Sequence, residues 1–267
     1  MSTKTPALYI GHGAPLLLDD PVWFSELEAL AARMEKPKGI LMVSAHWESA
    51  PLTVGSVETG TPLIYDFGGF HPKFYELQYN SPGAPEIAMK VAQLLSGPEG
   101  SPIAGVGQVH HAPNRGMDHG AYIPLMAMYP DADVPVLQMS IPTSDPQQLF
   151  EIGKKLAPLR DEGIMIIGSG FLTHGLPFLK EWSIEATPPS WSVDFDIWAK
   201  EALERGAVED LLNYKKLAPG LPYAHPTVEH FAPIFITLGA STNPEEAVKT
   251  EIEGYWMGLA KRSFSVA

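Results

Sequence analysis

The sequence predicts an α/β fold in which a largely parallel sheet is covered by helices on both faces. Apolar runs of strand length alternate along the chain with segments of helical spacing, which is typical of such folds. The runs are continuous instead of alternating with polar residues, as expected for strands buried on both faces. With 267 residues, 45% of them hydrophobic, the chain can form a sizeable core. We expect one domain spanning residues 1–267, with two small domains as the alternative.

The first predicted strand, residues 7–10, is followed by a histidine between two glycines, in the sequence GHG at 11–13. Glycine permits sharp turns and close approach of other segments, so we expect His12 to be exposed at the end of this strand. A helix is predicted at 23–35. Its apolar residues recur at helical spacing: Trp23, Leu27, Leu30 and Met34.

Later strands end near histidines in the same way. The second strand, 39–45, is strongly apolar and is followed directly by His46. The apolar strand at 164–170 has His174 a few residues beyond its end. The remaining predicted elements are a strand at 134–141 and helices at 85–95, 119–129 and 147–161.

The three histidines therefore share one place in the predicted fold. In α/β sheets, ligands bind at the edge formed by the carboxyl ends of the strands, and we expect His12, His46 and His174 to meet there. Small neighbours around His12 and His46 leave room for an ion, which favours metal ligation by these two residues. His174 follows a glycine-rich turn and is interpreted as either a ligand or a proton-transfer group.

A fourth histidine, His230, is predicted in the first turn of a helix that starts at 226–227. Glu229 beside it offers a carboxylate ligand. Adjacent helical residues point about 100° apart, so only one of the two is expected to face an ion.

Two residues near the predicted helix 119–129 are further candidates. His119 is expected in the pocket as an acid or hydrogen-bond donor, whereas Asp118 before it reads most simply as a helix cap. Arg115 is a rare cation in an acidic chain, and we interpret it as the residue that binds the carboxylate of a substrate. The alternative for Arg115 is a surface ion pair.

Composition excludes several classes of function. The net charge is −13 and basic runs are lacking, which argues against nucleic-acid or anionic-membrane partners. The chain has no cysteine, so disulfides, thiolate zinc sites and a cysteine nucleophile are excluded. Apolar stretches of membrane-spanning length and a signal-peptide core are also lacking, and we expect a cytoplasmic protein.

Sequence blocks in order from about residue 7 to 240 resemble the class III extradiol ring-cleavage dioxygenases, and among them the 4,5-DOPA extradiol dioxygenase-like branch. The blocks are GHGAPL, SAHWE, YDFGGF, DHGAYIPL, MYPDADVPVLQMSI, LRDEGIMIIGSG, THGL and PTVEHFAPIF. The resemblance implies a single domain with a central mixed sheet and a non-haem metal at its edge. It also implies that the enzyme uses O2 to open a catechol ring beside the two hydroxylated carbons, giving a muconic-semialdehyde-type product.

The resemblance also implies roles for individual residues. His12, His46 and His230 match metal-binding histidines of this branch, and His119 matches a pocket histidine. His174 matches a position that serves as a metal-associated ligand or as the catalytic base, and we favour the base. Iron(II) is the metal expected for activity, because zinc(II) has no redox chemistry; zinc is nevertheless expected as a metal that the site can bind.

Two other functions remain open from the sequence. One is a zinc-dependent hydrolase in which the same histidines activate a bound water. The other is a non-catalytic binding relative of the same fold. The expected partners are a small catechol, DOPA-like or otherwise substituted, and O2, and the sequence assigns no oligomeric state.

Overall fold

A computed structural model of the chain describes residues 4–97 and 107–267. The predicted domain of residues 1–267 also contains 1–3 and 98–106, which lie outside the described residues. The strands are β1 (Ala7–Gly11), β2 (Gly39–Glu48), β3 (Thr53–Val54), β4 (His110–His111), β5 (Val136–Ile141), β6 (Ile164–Gly170), β7 (Lys249–Ile252), β8 (Tyr255–Trp256), β9 (Leu259–Ala260) and β10 (Ser263–Val266).

The α-helices are α1 (Pro21–Ala32), α2 (Pro85–Leu94), α3 (His119–Met128), α4 (Pro146–Leu156), α5 (Ser190–Glu204), α6 (Val208–Leu212), α7 (Tyr214–Leu217), α8 (Leu221–Ala224) and α9 (Pro233–Gly239). Short 3-10 helices cover Pro15–Asp19, Pro72–Tyr75, Ala157–Glu162 and Leu176–Phe178. No helix within 4–97 or 107–267 is long and apolar enough to cross a membrane.

Eight strands form one mixed sheet in the order β4-β3-β5-β2-β6-β1-β10-β7. Its centre is parallel, because β5, β2, β6 and β1 pair in the same direction. Antiparallel pairing joins β10 to β1, β7 to β10, and β3 to β5. The α/β prediction with a mostly parallel, mixed sheet is confirmed.

Helices cover both faces of the sheet, as the strand pattern predicts. Side chains of β1 alternate between two buried clusters, because successive residues of a strand point to opposite faces. Ala7 and Tyr9 pack with α2, α4, α5 and α9, whereas Leu8 and Ile10 pack with α1 and α3. Strands between two helical layers carry apolar residues on both faces, which explains their continuous apolar runs.

The C-terminal strands were not predicted. Strands β7 to β10 are short, and β10 mixes serines with Phe264 and Val266. Its polar residues are accommodated by specific hydrogen bonds, such as that from the Gly11 amide to the Ser263 hydroxyl. Burial of this segment therefore depends on partners far away in the chain and not on its own apolar pattern.

Two element boundaries differ from the prediction and both concern histidines. Strand β2 continues to Glu48, so His46 lies inside the strand and not after it. Helix α9 begins at Pro233, so His230 lies in the turns before the helix and not in its first turn. The His230 carbonyl accepts hydrogen bonds from the Tyr9 hydroxyl (2.9 Å) and the Phe171 amide (3.0 Å), and these bonds tie the segment to the sheet edge.

Gly170 at the end of β6 makes this attachment possible. A Cβ atom at Gly170 would lie 2.1 Å from the carbonyl oxygen of His230. We expect Gly170→Ala to lower the free energy of unfolding by roughly 1–3 kcal/mol, as for other overpacked sites, measured by urea denaturation. Gly68→Ala is the control, because a Cβ there meets nothing within 4 Å. Equal stability of the two variants would contradict the close approach.

Candidate metal centre

Three histidine rings meet at the carboxyl edge of the sheet. The Nε2 atom of His46 lies 3.0 Å from Nε2 of His12 and 3.2 Å from Nε2 of His230. His12 follows β1, and its backbone amide is bonded to the Gly170 carbonyl of β6. His46 extends from β2, and His230 comes from the turn before α9. His12 and His230 are almost fully buried.

Each of these rings has an oxygen partner at its other nitrogen. The Nδ1 atom of His12 lies 3.1 Å from the Ser169 hydroxyl, that of His46 lies 3.2 Å from an Asp66 carboxylate oxygen, and that of His230 lies 3.0 Å from a Glu229 carboxylate oxygen. Ser169 donates its own proton to the Gly120 carbonyl, so its oxygen accepts from His12. These partners assign the ring proton to Nδ1 and leave the Nε2 lone pairs facing one another.

The convergence of these lone pairs fits a cation. Two nitrogens bound at about 2.1 Å to one ion are about 3.0 Å apart at a right angle and about 3.4 Å apart at the tetrahedral angle. Burial lowers the pKa of His12 and of His230 well below the ordinary value, and neighbouring histidines lower it further. The rings are therefore neutral, as ligation requires. Three imidazoles that converge through their Nε2 atoms suit a divalent transition metal such as iron(II) or zinc(II).

Glu229, which the sequence offers as a carboxylate ligand, is a hydrogen-bond partner of His230 in the structure. Its carboxylate accepts hydrogen bonds from His230 Nδ1 and from the Thr227 hydroxyl, both at 3.0 Å. Two sets of side chains have ligand atoms within 4.8 Å of one another: His12, His46 and His119, and His174, Glu229 and His230. The short His46–His230 contact joins the two sets into one centre. Glu229 orients His230 within it, and the His230 Nε2 atom is left free to face His46.

Asp66 is a functional residue that the sequence analysis missed. Its carboxylate accepts hydrogen bonds from His119 Nδ1 at 2.7 Å, from the His119 amide at 3.2 Å and from His46 Nδ1 at 3.2 Å. Burial alone would raise the pKa of Asp66, but the bonds from both histidines outweigh it and hold the pKa well below its usual range. The only local signal was its place in the YDFGGF block. One carboxylate thus fixes two rings.

The bond to Asp66 changes the expected role of His119. Burial lowers the pKa of His119, although its hydrogen bond to Asp66 opposes this shift. The ring is therefore neutral, with its proton on Nδ1, and its Nε2 atom carries a lone pair. In this form His119 can accept a hydrogen bond at Nε2, whereas the expected donor role would require a protonated ring.

His174 lies against His230 as a stacked ring. The ring centroids are 3.4 Å apart and the planes are inclined by 14°. Imidazole lone pairs lie in the ring plane, so the lone pairs of two rings stacked in this way lie in nearly parallel planes and do not converge. This stacking favours the base over the ligand for His174. Burial lowers its pKa to about 3, with a further contribution from His225, so the ring is neutral and able to accept a proton.

His225 belongs to the support of His174 and not to the centre. Its Nε2 atom donates to the Leu172 carbonyl at 2.8 Å, while the His174 amide donates to the Ala224 carbonyl at 2.7 Å. These two bonds hold the chain after β6 against α8.

Arg115 does not lie in the cavity beside the histidines, which corrects its predicted contact with a substrate carboxylate. Its guanidinium pairs with Asp118 at 3.0 Å and lies over the Trp47 ring.

Asp118 is fully buried and also accepts hydrogen bonds from Ser44 and Gln138. It occupies the predicted N-cap position of α3, but its side chain makes no cap hydrogen bond there. The Asp118 carboxylate draws Arg115 inward because a buried carboxylate needs a partner.

The centre opens into a cavity of about 820 Å³. The histidines form its floor, and its walls are mainly apolar and aromatic. Wall residues include Leu16, Phe67, Phe70, Phe74, Phe171, Leu176, Trp182, Trp256 and Leu259. The volume falls within the range of about 300–1,000 Å³ of pockets for small organic ligands.

We expect Asp66→Asn to weaken metal binding. An amide offers one acceptor oxygen where the carboxylate offers two, so His46 and His119 cannot both keep their bonds. Loss of such a supporting partner lowers metal affinity by about 10- to 100-fold. The measurement is a competitive cobalt(II) or zinc(II) titration of the metal-free protein. Asp133→Asn, on an exposed pair with Lys36, is the control, and an unchanged affinity in Asp66→Asn would contradict the role of the carboxylate.

Comparisons with known proteins agree with this geometry. The family model described as the catalytic LigB subunit of aromatic ring-opening dioxygenase matches residues 20–263. A Beta vulgaris protein named 4,5-DOPA dioxygenase extradiol is 39% identical over 244 residues, covering 90% of this chain and 88% of that protein. An Escherichia coli protein of the same name is 38% identical over 262 residues, covering 96% and 92%.

A solved structure of an uncharacterized protein from Escherichia coli K12 has the same fold. It superposes with a TM-score of 0.81 at 34% identity and covers 99% of this chain and 100% of that one. The region matched by the family model contains His46, His119, His174 and His230. The fold and the enzyme class predicted from the sequence are confirmed. The chain belongs to the LigB family of aromatic ring-opening dioxygenases.

Proposed function

We propose that this protein opens the ring of a substituted catechol with O2 at the centre formed by His12, His46 and His230. The observation that carries the proposal is the convergence of three histidine Nε2 atoms at the floor of an aromatic-walled cavity. Relatives named 4,5-DOPA dioxygenase extradiol support a DOPA-like catechol as substrate. The bond that breaks joins one hydroxylated ring carbon to its non-hydroxylated neighbour. Both oxygen atoms of O2 enter the muconic-semialdehyde-type product.

The three histidines would hold iron(II), and the supporting oxygens would keep their rings aligned. Iron(II) supplies the redox chemistry that couples a catechol to O2, which zinc(II) lacks. The Nε2 atoms of the three histidines lie at the floor of the cavity, where a bound catechol would present its two oxygens. The aromatic walls pack against the catechol ring and exclude water, which strengthens polar interactions at the floor.

Two further histidines would handle the substrate's protons. His174 is neutral, lies against His230 and has no side-chain hydrogen bond within the described residues, so it is free to take a catechol proton and return it to the product. His119 presents its Nε2 lone pair and accepts a hydrogen bond from the second hydroxyl. Asp66 holds the His119 ring in this orientation, because its carboxylate stays ionised and accepts the hydrogen bond from Nδ1.

Alanine at His12, His46 or His230 should remove both metal and turnover without unfolding the chain. The test is anaerobic loading with iron(II), followed by metal analysis, circular dichroism and O2 uptake with DOPA and with 4-methylcatechol. Unaltered protein should consume one O2 per catechol and form a yellow ring-fission product, and the zinc-loaded form should not. Full metal occupancy in His230→Ala would remove His230 from the ligands and favour Glu229.

His174→Gln should separate metal binding from proton transfer. Glutamine keeps a polar side chain but is not a base at neutral pH, so we expect most of the metal to remain and kcat to fall by about 10²- to 10⁴-fold. Metal analysis and steady-state kinetics on the iron(II) form measure both quantities. His111→Gln, in the exposed strand β4, is the matched control. Parallel loss of metal and activity would make His174 a ligand.

A further inference from the structure

An ion pair lies at the mouth of the cavity. The Nζ atom of Lys73 lies 2.7 Å and 2.6 Å from the two carboxylate oxygens of Asp19. Asp19 ends the 3-10 helix Pro15–Asp19 and Lys73 lies in the 3-10 helix Pro72–Tyr75, so the pair joins two segments across the opening. Both side chains are about half exposed, at 47% and 51%, and both line the cavity.

The charges available to a ligand are confined to this pair. Among the described residues that line the cavity, Lys73 is the only lysine or arginine, and Asp19 and Asp66 are the only acidic residues. Asp66 at the floor is already bonded to His46 and His119. Between floor and mouth the walls are mainly apolar. The cavity therefore fits a ligand with a polar ring end, an apolar middle and a charged far end.

Building on the proposed function, we propose that Asp19 and Lys73 bind the α-amino acid group of a catechol amino acid. The ligand's ammonium pairs with Asp19, and its carboxylate pairs with Lys73. An exposed ion pair contributes little to the stability of the fold, so breaking the pair costs little free energy. When the zwitterionic ligand binds, Asp19 and Lys73 each gain an oppositely charged group of the ligand as their new partner. The Lys73 ammonium also lies 4.8 Å from the centroid of the Phe74 ring, a contact that keeps it at the cavity mouth when Asp19 turns to the ligand.

The test is a titration of the iron(II) protein with four catechols under anaerobic conditions. Binding is monitored by tryptophan fluorescence, because Trp182 and Trp256 line the cavity. DOPA carries both charges, dopamine only the ammonium, 3,4-dihydroxyphenylpropanoate only the carboxylate, and 4-methylcatechol neither. Lys73→Met should raise the Kd of the two ligands that carry a carboxylate, DOPA and 3,4-dihydroxyphenylpropanoate, about tenfold. This is the effect of losing one charge-assisted hydrogen bond. Asp19→Asn should raise the Kd of DOPA and dopamine by a similar factor.

Each substitution also leaves the remaining member of the pair without its partner, which predicts a second change in the Kd values. Lys73→Met should leave dopamine binding unchanged or tighter, and Asp19→Asn should do the same for 3,4-dihydroxyphenylpropanoate. Neither should alter binding of 4-methylcatechol. Lys36→Met, which breaks the exposed pair with Asp133, is the control and should leave all four Kd values unchanged.

Three results would overturn the proposal. A parallel change for all four ligands would show that the pair only latches two loops, and no change would show that it contacts no ligand. Failure of the unaltered protein to prefer DOPA over 4-methylcatechol would also contradict it. Turnover of 4-methylcatechol with O2 reports on the proposed function separately, because that ligand carries neither charge.

Discussion

Three imidazole nitrogens that face one another at 3.0 and 3.2 Å are the constraint on which the rest of the structure depends. A cation between the nitrogens would offset the repulsion of their lone pairs, because burial disfavours protonating His12 and His230. The surrounding structure holds the rings in place. Ser169, Asp66 and Glu229 each accept a hydrogen bond from Nδ1, so every ring presents its Nε2 lone pair to the centre. The hydrogen bonds to Nδ1 therefore orient the rings so that a cation would fit between the Nε2 atoms.

The sheet explains why these rings meet. Parallel pairing of β1, β6 and β2 brings their carboxyl ends to one edge, which positions His12 and His46. His230 arrives from the opposite part of the chain and is attached through its backbone carbonyl to Tyr9 and Phe171. The close approach needs Gly170, which has no side chain. The fold therefore fixes the backbone at the centre, while hydrogen-bonding side chains fix the rings.

The sequence predicted those features that depend on local pattern. Continuous apolar runs identify the central strands, and histidines at or near their ends identify the edge where His12, His46 and His174 meet. It failed where distant partners decide. Asp66 lies in a loop whose path depends on contacts with His46 and His119. Arg115 turns toward the buried Asp118, although their sequence spacing suits an exposed pair equally well. The start of α9 and the short C-terminal strands likewise depend on contacts with β1 and β6.

The most direct test of the three-histidine centre is anomalous diffraction at the iron edge from crystals of the iron(II)-loaded protein. We expect a single peak about 2.1 Å from the Nε2 atoms of His12, His46 and His230, with His174 stacked beside His230 and unbound. A peak coordinated by the Glu229 carboxylate, or one bound by His12, His46 and His119 without His230, would contradict the proposed centre.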